Sequence, residues 1–425
     1  MKFLILLNND SDGVGQTAIN LSNNLKKLSH ETQVRLLHTK NGNQNIKIIK
    51  RSFFLRIIAF LFNLLKIKKI SSYKKNFLEL FWFGNTTIKL KSIKKDIEKS
   101  DVIIIFTFYK LISKKIFEEI MKYKKVILLR PLDIELATGG CHFNGECQNF
   151  TVNCDRCPKL NFLNIFNITK KNLIAKKKIV NKYQPKVLVQ NSYVKKIFNK
   201  SSIFKEAEMH IARLDVRKER KNHYTKDSAR EILGLDRNER IILFGAFDLA
   251  AHHKGGHLLL EALKLFENKY IHKKKKGKIF PGLRILTMGK KNKFEVKSNI
   301  IKWTHLDLIN SDKKLNLLYR ASDLLACPSL QCFAPHIVTE AVENKLPVVS
   351  FDVGVAQDDV KHDVNGLLVP CYDVSIFAQS LYDILYDEVK RKNLLSSLKN
   401  HNPMREEDEA TTIINYSTKL VKRKN

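Results

Sequence analysis

The sequence predicts two α/β domains, each with a mainly parallel sheet covered by helices on both faces. Short apolar runs alternate with amphipathic helical stretches along the whole chain, a pattern typical of parallel sheets. The 425 residues exceed what one ordinary hydrophobic core accommodates. The alternation also begins afresh at RNERIILFGAF, after a junction expected near residues 199–215. We therefore expect domains at residues 1–200 and 201–403, followed by a polar helix at residues 404–425.

Each element is predicted from its local periodicity and residue types. The expected strands are short apolar runs, namely Lys2–Leu7, Gln33–His38, Asp101–Phe106, Lys125–Leu129, Lys186–Val189, Arg240–Phe244, Leu283–Met288, Leu324–Ala326 and Pro347–Phe351. The expected helices include Thr17–Leu28, Lys114–Tyr123, His257–Phe266 and Ser375–Leu385. The opening KFLILLNND is interpreted as a buried strand and not as a secretory signal, because it is short and lacks a small-residue cleavage site.

The chain has 76 Lys and Arg against 42 Asp and Glu, a net charge of +34 that is spread along its whole length. It contains no zinc-finger series, RRM aromatic motif or basic zipper, so a dedicated nucleic-acid module is not expected. A solvated basic surface, a general attraction to polyanions and an anionic membrane partner remain as interpretations. No run reaches about 18 uninterrupted apolar residues, so no membrane-spanning helix is expected.

Residues Arg51–Lys75, RSFFLRIIAFLFNLLKIKKISSYKK, depart from the α/β rhythm. Their apolar core of about fourteen residues is short for a membrane span and has basic flanks. One interpretation is a helix that lies in an anionic membrane interface, with its cations toward the headgroups. The other is a core helix of the first domain with exposed lysines at its end.

Two strand-to-helix turns carry glycines that let backbone amides approach an anionic ligand. The first, in NNDSDGVGQTAINL, contains Gly13 and Gly15, although a plain turn explains it equally well. The second, in LFGAFDLAAHHKGGHLLLEAL, places Lys254 beside Gly255 at a helix start, where a lysine can set a point charge on a phosphate. Further along, the PSLQCFAP loop enters a helix that carries Glu340, and a carboxylate one turn into a helix can hold sugar hydroxyls.

These segments resemble the donor-site motifs of the retaining glycosyltransferases of family 4, which have the GT-B fold. The matching residues are Tyr319, Ala321, Asp323, Pro328, Ser329, Glu340, Ala341, Pro347, Val348, Val349, Gly354, Asn365, Gly366 and Asp373. The resemblance covers nearly the whole chain. It implies two Rossmann-like domains with a donor cleft between them, and a C-terminal helix that crosses back to the first domain.

The resemblance also implies a nucleotide-diphospho-sugar donor, with Glu340 on the ribose, Lys254 on the diphosphate and no metal needed for the chemistry. The donor phosphate itself would help to deprotonate the acceptor. The residues expected to bind the donor are Gly13, Gly15, Lys254, Gly255, Phe333, Ala334, Pro335, His336, Ile337 and Glu340.

The chain departs from the family pattern at four positions. Cys332 stands where the first motif glutamate is expected, Ala246 replaces an arginine, and Lys345 replaces the small glycine before PVV. Leu132 replaces the histidine of a frequent His-Asp pair. These departures imply an altered sugar contact or weakened catalysis, and His252, His253 or Arg213 are candidates to supply the missing positive charge.

Asp133, Cys332 and Glu340 are the candidate catalytic residues. Asp133 follows a predicted strand, where it can contact acceptor hydroxyls or cap a turn.

Four cysteines within residues 139–158 form the most unusual feature of the chain. Cys141, Cys147, Cys154 and Cys157 have the spacing C-x5-C-x6-C-x2-C, with His142 adjacent. Four thiolates are the usual ligands of a closed structural zinc site, and C-x2-C is a usual zinc-knuckle spacing. Four unlinked thiols, or disulfides in an oxidised chain, are the alternatives. The loop also resembles a TGGCH loop of a family 4 subgroup that builds surface polysaccharides.

The other cysteines, Cys327, Cys332 and Cys371, are expected to be buried structural thiols.

The resemblance therefore implies a cytoplasmic retaining glycosyltransferase (EC 2.4) at the inner face of the cell membrane. It would transfer a sugar to a lipid-linked glycan in polysaccharide or lipopolysaccharide synthesis. Two alternatives remain open, a GT-B protein that binds a sugar nucleotide or glycan without transfer, and a basic nucleic-acid-binding protein.

Overall fold

The computed structural model describes residues 1–10, 13–39, 46–57, 81–82, 84–160, 167–215, 224–275, 280–309, 311–331, 333, 336–400 and 407–423. The chain divides into two compact units. Unit 1 is Met1–Asp215 with Glu406–Asn425, and unit 2 is Val216–Arg405. The boundary follows Asp215, where we had predicted residue 200, because the short strand Met209–Ile211 pairs with the sheet of unit 1.

Unit 1 contains a seven-stranded parallel sheet in the order β3-β2-β1-β4-β5-β6-β7. The strands are β1 (Lys2–Leu6), β2 (Glu31–Leu36), β3 (Ile46–Ile48), β4 (Val102–Ile105), β5 (Val126–Leu129), β6 (Lys186–Val189) and β7 (Met209–Ile211). Every residue of the central strands β4 and β5 is buried, as expected of parallel strands covered on both faces.

The helices of unit 1 pack on this sheet. They are α1 (Gly13–Lys27), α2 (Lys94–Lys99), α3 (Lys114–Met121), α4 (Ile168–Tyr183) and α5 (Ser192–Lys200). Side-chain oxygens of Ser113 and Asn191 accept hydrogen bonds from the first turns of α3 and α5, which explains where these helices begin.

Unit 2 contains a six-stranded parallel sheet in the order β10-β9-β8-β11-β12-β13. The strands are β8 (Arg240–Asp248), β9 (Leu283–Lys290), β10 (Ile301–Leu306), β11 (Leu324–Cys327), β12 (Val348–Phe351) and β13 (Gly366–Val369). The helices are α6 (Lys226–Ile232), α7 (Gly256–Lys275), α8 (Asp312–Ala321), α9 (His336–Glu343), α10 (Ala356–Asp359), α11 (Val374–Tyr386) and α12 (Glu388–Asn400).

The last helix, α13 (Glu409–Lys422), belongs to unit 1. Its buried Ala410 and Ile413 pack in the same core cluster as Phe3 of β1 and Leu21 of α1. The fully buried Arg130 donates to Glu409 Oε1 and to the carbonyl oxygens of Leu188 and Ala212, which ties the helix to the sheet.

The nine predicted strands are all present, and the prediction of two α/β domains with parallel sheets is confirmed. The prediction omitted β3, β7, β10 and β13. Two of these, β3 and β7, have three residues each, and β10 is a partly exposed strand at the edge of its sheet. Local periodicity is weak in such strands, since pairing with a neighbour supplies most of their order.

Of the segment Arg51–Lys75, only residues 51–57 lie within the described part of the chain. Residues 53–57 are helical, and Phe53 and Phe54 are 75% and 70% exposed. Among the described residues, no helix has the length and apolar character needed to cross a membrane.

Candidate functional site

The Lys254–Gly255 turn and the PSLQ loop of unit 2 meet at one edge of its sheet. The turn with Lys254 follows β8, the PSLQ loop follows β11, and these two parallel strands are neighbours. The carbonyl oxygen of His253 accepts a hydrogen bond from Leu330 N at 3.0 Å. Gly255 has φ +70°, and a Cβ on it would lie 1.7 Å from the carbonyl oxygen of Pro328. Any side chain at Gly255 would therefore push the two loops apart.

Glu340 lies in the second turn of α9, which begins at His336. Its side chain is buried, and its Oε2 accepts a hydrogen bond of 2.5 Å from the Tyr319 hydroxyl. Both residues line a cavity of about 190 Å³ together with Ala246, Gly289 and Ile337. Pockets for whole ligands are usually about 300–1,000 Å³, so this cavity would accept only part of a nucleotide sugar.

A larger cavity of about 470 Å³ lies elsewhere in unit 2, beside α11 and α12. None of the predicted site residues lines it.

The backbones of Gly289 and Ala246, which both line the smaller cavity, approach each other closely. Gly289 has φ +129°, and a Cβ on it would lie 1.7 Å from the carbonyl oxygen of Ala246. Ala246, which stands where the family pattern has an arginine, lines the cavity and brings no charge to it.

That His253 supplies a positive charge at this site stays a prediction, and the fold without a bound anion favours its neutral form. Burial, with the nearby charges of Lys254 and His252, lowers the pKa of His253 to about 3, so its imidazole is neutral at pH 7. The ring of His252 stacks on that of His257 with centroids 4.6 Å apart. Arg213 belongs to unit 1.

Three residues of the predicted donor loop, Cys332, Ala334 and Pro335, lie outside the described residues. Phe333 is buried, which indicates a packing role for its ring. His336 and Ile337 are partly buried, and Ile337 lines the cavity with Glu340.

Asp323 of the motif has a structural role. Its carboxylate pairs with Lys226 and with Arg230 at 2.8 Å, and it also accepts a hydrogen bond from Ile241 N at 2.8 Å. Burial alone would raise the pKa of Asp323, but these cations and hydrogen bonds hold it below its ordinary value. Asp323 therefore anchors α6 to the sheet.

The backbone conformation of Lys345 explains why the family pattern has glycine at this position, before PVV. Lys345 has φ +57° and follows the end of α9. Lys345 N donates to the carbonyl oxygen of Val342, and Leu346 N donates to that of Ala341. This is the Schellman arrangement, in which the left-handed residue is usually glycine.

In unit 1, the glycine turn after β1 serves packing. A Cβ on Gly15 would lie 2.4 Å from the carbonyl oxygen of Asn9, whereas a Cβ on Gly13 would meet nothing within 4 Å. The glycine at position 15 is therefore explained by the contact of α1 with the end of β1. A donor contact at either glycine stays a prediction.

Asp133 takes part in a buried polar network after β5. Its Oδ1 accepts from Glu135 N at 2.7 Å, which is the expected turn cap, and its Oδ2 accepts from His142 Nδ1 at 2.7 Å. Glu135 Oε2 accepts from Thr107 Oγ1 and Phe108 N. Among the described residues, the ligand atoms of Asp133, Glu135 and His142 lie within 4.8 Å of one another.

The charges in this network perturb one another. Burial alone would lower the pKa of His142, but Asp133 and Glu135 outweigh it and raise this pKa above its ordinary value. Burial lowers the pKa of Lys176 to about 8 while its Nζ donates to the carbonyl oxygens of Glu135 and Thr138. Sequence reasoning placed Asp133 here but gave no role to Glu135 or Lys176, since no local pattern marks either residue.

Cys141, Cys147, Cys154 and Cys157 converge on one small cavity in unit 1. Burial raises the pKa of Cys154 to about 12 and that of Cys157 to about 11, so without a cation beside them these groups are neutral thiols. All four sulfurs are free of disulfides. Of the remaining cysteines, Cys327 is buried as predicted, whereas Cys371 is exposed and its predicted burial is wrong.

The second unit is related to a known family. Residues 225–401 match the family model of glycosyl transferases group 1. A D-inositol 3-phosphate glycosyltransferase of Salinispora arenicola (strain CNS-205) is 34% identical over 87 residues, 20% of this chain and 19% of that protein. A protein of the same name from Salinispora tropica is 36% identical over 87 residues, 20% of this chain and 18% of that protein. The chain thus spans about a fifth of the length of these curated relatives.

Solved structures establish the fold of the whole chain. Sucrose-phosphate synthase from Thermosynechococcus elongatus has a TM-score of 0.67 at 15% identity, with 100% of both chains covered. Anabaena Alr3699/HepE in complex with UDP-glucose has a TM-score of 0.65 at 14% identity, covering 99% of this chain and 100% of that chain. WaaG, a glycosyltransferase involved in lipopolysaccharide biosynthesis, has a TM-score of 0.63 at 12% identity, with 98% of both chains covered.

The fold class is therefore GT-B, with two Rossmann-like α/β units. Residues 225–401, the segment that matches the family model of glycosyl transferases group 1, lie within unit 2.

Proposed function

We propose that this chain is a retaining glycosyltransferase that takes a sugar from a nucleotide-diphospho-sugar donor. The observation that carries the proposal is the cavity of unit 2, where the buried Glu340 carboxylate is held by the Tyr319 hydroxyl. This cavity lies in the segment that matches the glycosyl transferases group 1 family. Ligands of open parallel sheets bind beyond the carboxyl ends of the strands, which is where the Lys254–Gly255 turn and the PSLQ loop lie.

The chemistry follows from the residue types. Glu340 would hold the ribose hydroxyls, and Lys254 with the amides of its turn would bind the diphosphate. Holding the leaving diphosphate stabilises the charge that develops as the glycosidic bond breaks. The donor phosphate would accept the acceptor proton, so positioning takes the place of a dedicated protein base.

Donor binding is the first test. Uridine and guanosine diphospho-sugars should be titrated calorimetrically, since Alr3699/HepE was solved with UDP-glucose and with UDP. Loss of a hydrogen bond to a charged group costs about 1.5–3 kcal/mol, so Glu340→Gln or Lys254→Ala should weaken donor binding roughly 10- to 150-fold. Glu388→Gln, an exposed carboxylate on α12, is the matched control and should leave donor affinity unchanged. Equal affinity in all four proteins would refute the assignment.

The acceptor proposed here is a lipid-linked glycan of surface polysaccharide or lipopolysaccharide synthesis. The net charge of +34 suits an anionic lipid leaflet. The exposed Phe53, Phe54 and Ile57 provide an apolar contact beside the exposed Arg56. WaaG, a structural neighbour, is described as involved in lipopolysaccharide biosynthesis.

Liposome flotation tests this membrane contact. The wild type should float with vesicles that contain anionic lipid and should remain at the bottom with zwitterionic ones. The double variant Phe53→Ser/Phe54→Ser should lose most of this shift, whereas Val389→Ser, an exposed apolar residue of unit 2, should retain it. A shift that is absent in the wild type would refute peripheral binding.

A second candidate function is sugar-nucleotide binding without transfer. Cys332 and Ala246 stand where the family pattern has charged residues, and this observation favours it. Transfer and hydrolysis assays with the donor that binds separate the two functions. A large gain of transfer in Cys332→Glu would mean that the native site is impaired, and a loss would mean that it is specialised.

A further inference from the structure

We propose that Cys141, Cys147, Cys154 and Cys157 bind one structural Zn²⁺ ion, which fixes the loop that carries His142 against Asp133. All four cysteines line the same cavity of about 20 Å³ in unit 1. A cavity of this volume holds a single water-sized particle. Four cysteines with no other ligand type are the usual set of a closed structural zinc site.

Backbone amides around the cavity are oriented toward sulfur. Gly139 N donates to Cys154 Sγ at 3.3 Å, and the amide of Lys159 donates to Cys157. An amide two residues after a cysteine, as at Lys159, is well placed to stabilise a metal-bound thiolate. The buried Lys159 and Lys176 place positive charge near sulfurs that would carry excess negative charge around Zn²⁺.

The walls of the cavity are built by three separate segments of unit 1. Cys141 forms a β-bridge with Phe81, and Trp82 N donates to the carbonyl oxygen of Gly140 at 2.8 Å. Gly139 lies so close to α4 that a Cβ on it would be 2.4 Å from the carbonyl oxygen of Thr169. The hydroxyl of Thr169 donates to the carbonyl oxygen of Cys154 at 2.6 Å. These backbone contacts therefore hold the three segments together around the cavity that the four cysteines line.

The loop has little regular secondary structure and only a small apolar core. Between Gly139 and Leu160 the regular structure is one short 3-10 turn, Asn149–Thr151. The apolar cluster beneath the loop consists of Phe81, Cys157 and Leu160, with Cys141 packed against it. A metal would add the folding free energy that so small a core does not supply.

The nearby trio of Asp133, Glu135 and His142 is the competing ligand set, with ligand atoms within 4.8 Å of one another. Its side chains are only partly satisfied: His142 Nδ1 donates to Asp133, and Glu135 Oε2 accepts two hydrogen bonds. Within the described part of the chain, Glu135 Oε1 and His142 Nε2 are buried without a hydrogen-bond partner and lie 3.9 Å apart. Zinc would draw the four sulfurs to Zn–S distances of about 2.3 Å. Four thiolates complete a tetrahedral zinc site, whereas the trio supplies three ligand atoms, so we assign the structural zinc to the thiol set.

Zinc binding would affect function because Cys141, a zinc ligand, is adjacent in the chain to His142. Cys141 precedes His142, and His142 donates to the Asp133 carboxylate at 2.7 Å. A metal that fixes Cys141 also fixes the partner of Asp133, the residue expected to contact acceptor hydroxyls. The zinc would thus support the acceptor side of unit 1 without taking part in the reaction.

Metal analysis of protein purified without chelator tests the proposal independently of transfer activity. One zinc per chain is expected in the wild type and in Cys371→Ser, whose cysteine is exposed and lies in unit 2. Cys154→Ser and Cys157→Ser should retain less than a tenth of that zinc. If these variants do not fold, Co²⁺ exchanged into the wild type should still produce the intense visible and near-ultraviolet absorption of tetrahedral thiolate coordination.

A mercurial that titrates four thiols should release one zinc from the wild type. Zinc removal should also lower the melting temperature of unit 1. The proposal is overturned if the wild type carries no stoichiometric zinc after expression in zinc-supplemented medium. Zinc that remains in both cysteine variants, or disulfides among the four cysteines of protein purified with a reductant, would equally overturn it.

Discussion

Glu409 provides the sharpest test of how the C-terminal helix is held. Its carboxylate is 2% exposed and lies 2.6 Å from Arg130 Nη2, and the Arg130 side chain is fully buried. Replacing Glu409 by Gln keeps the size of the side chain and removes its charge. The guanidinium of Arg130 then remains buried without a counter-charge.

The loss of stability in Glu409→Gln depends on the hydrogen bonds that Arg130 keeps. Removing one partner of a buried ion pair costs about 3–5 kcal/mol. Arg130 still donates to the carbonyl oxygens of Leu188 and Ala212, so the lower end, about 3 kcal/mol, applies to Glu409→Gln. At roughly 2–4 °C per kcal/mol for a unit of this size, the melting temperature of unit 1 should fall by about 6–12 °C.

Urea and thermal unfolding followed by circular dichroism measure this change. Glu407→Gln, an exposed carboxylate just before α13, should change stability by less than about 0.5 kcal/mol. The double variant Arg130→Met/Glu409→Leu should recover most of the loss, because no unpaired charge remains. A loss below about 1 kcal/mol in Glu409→Gln, or an equal loss in Glu407→Gln, would show that the pair does not hold the helix.

Three further predictions concern unit 2, and urea unfolding measures the first two. Lys345→Gly should stabilise it by about 1 kcal/mol, because glycine adopts a positive φ without a steric penalty. The pKa of His253 is about 6.5 in the unfolded chain and about 3 in the folded one, so between these pH values the unfolded chain binds one more proton. The free energy of unfolding is therefore highest above pH 6.5 and decreases as the pH falls toward 3. Between pH 7.5 and 5.5 the wild type should therefore lose about 1.4 kcal/mol more than His253→Asn. Gly255→Ala should weaken donor binding at least tenfold in calorimetry, since its Cβ would displace the Pro328 loop.

Each of these predictions has its own control. Lys345→Ala removes the same side chain without relieving the backbone, so a gain equal to that of Lys345→Gly would refute the argument from φ. A pH dependence that is identical in His253→Asn and the wild type would mean that His253 is protonated normally. Gly234→Ala also replaces a glycine with positive φ, but nothing lies within 4 Å of the added Cβ, and it should leave donor binding unchanged.

Much of the fold was readable from local pattern. The nine predicted strands all occur, because alternation of apolar runs with amphipathic stretches is a property of neighbouring residues. The omitted strands β3, β7, β10 and β13 derive their order from pairing across the sheet. The unit boundary moved to Asp215 for the same reason, since β7 is recognisable only by its partner β6.

The candidate site also has features that local pattern reveals and features that only the folded chain reveals. Local motifs and the family resemblance singled out Glu340, Lys254 and Gly255 as candidates, and the four cysteines were recognised from their spacing in the chain. Spacing could not separate the buried structural Asp323 from the cavity residue Glu340, although both match one motif. Nor could it show that His253 is neutral, because burial in the folded chain sets its pKa.

By itself, then, the sequence determined the two α/β domains, the glycine turns and the residue types available for donor and metal binding. These depend on periodicity and spacing within a few tens of residues. The tertiary structure alone decided that Tyr319 holds Glu340, that His142 pairs with Asp133, and that Arg130 reaches Glu409 across 279 residues of chain. Such pairs form only when packing brings together side chains that no local pattern connects.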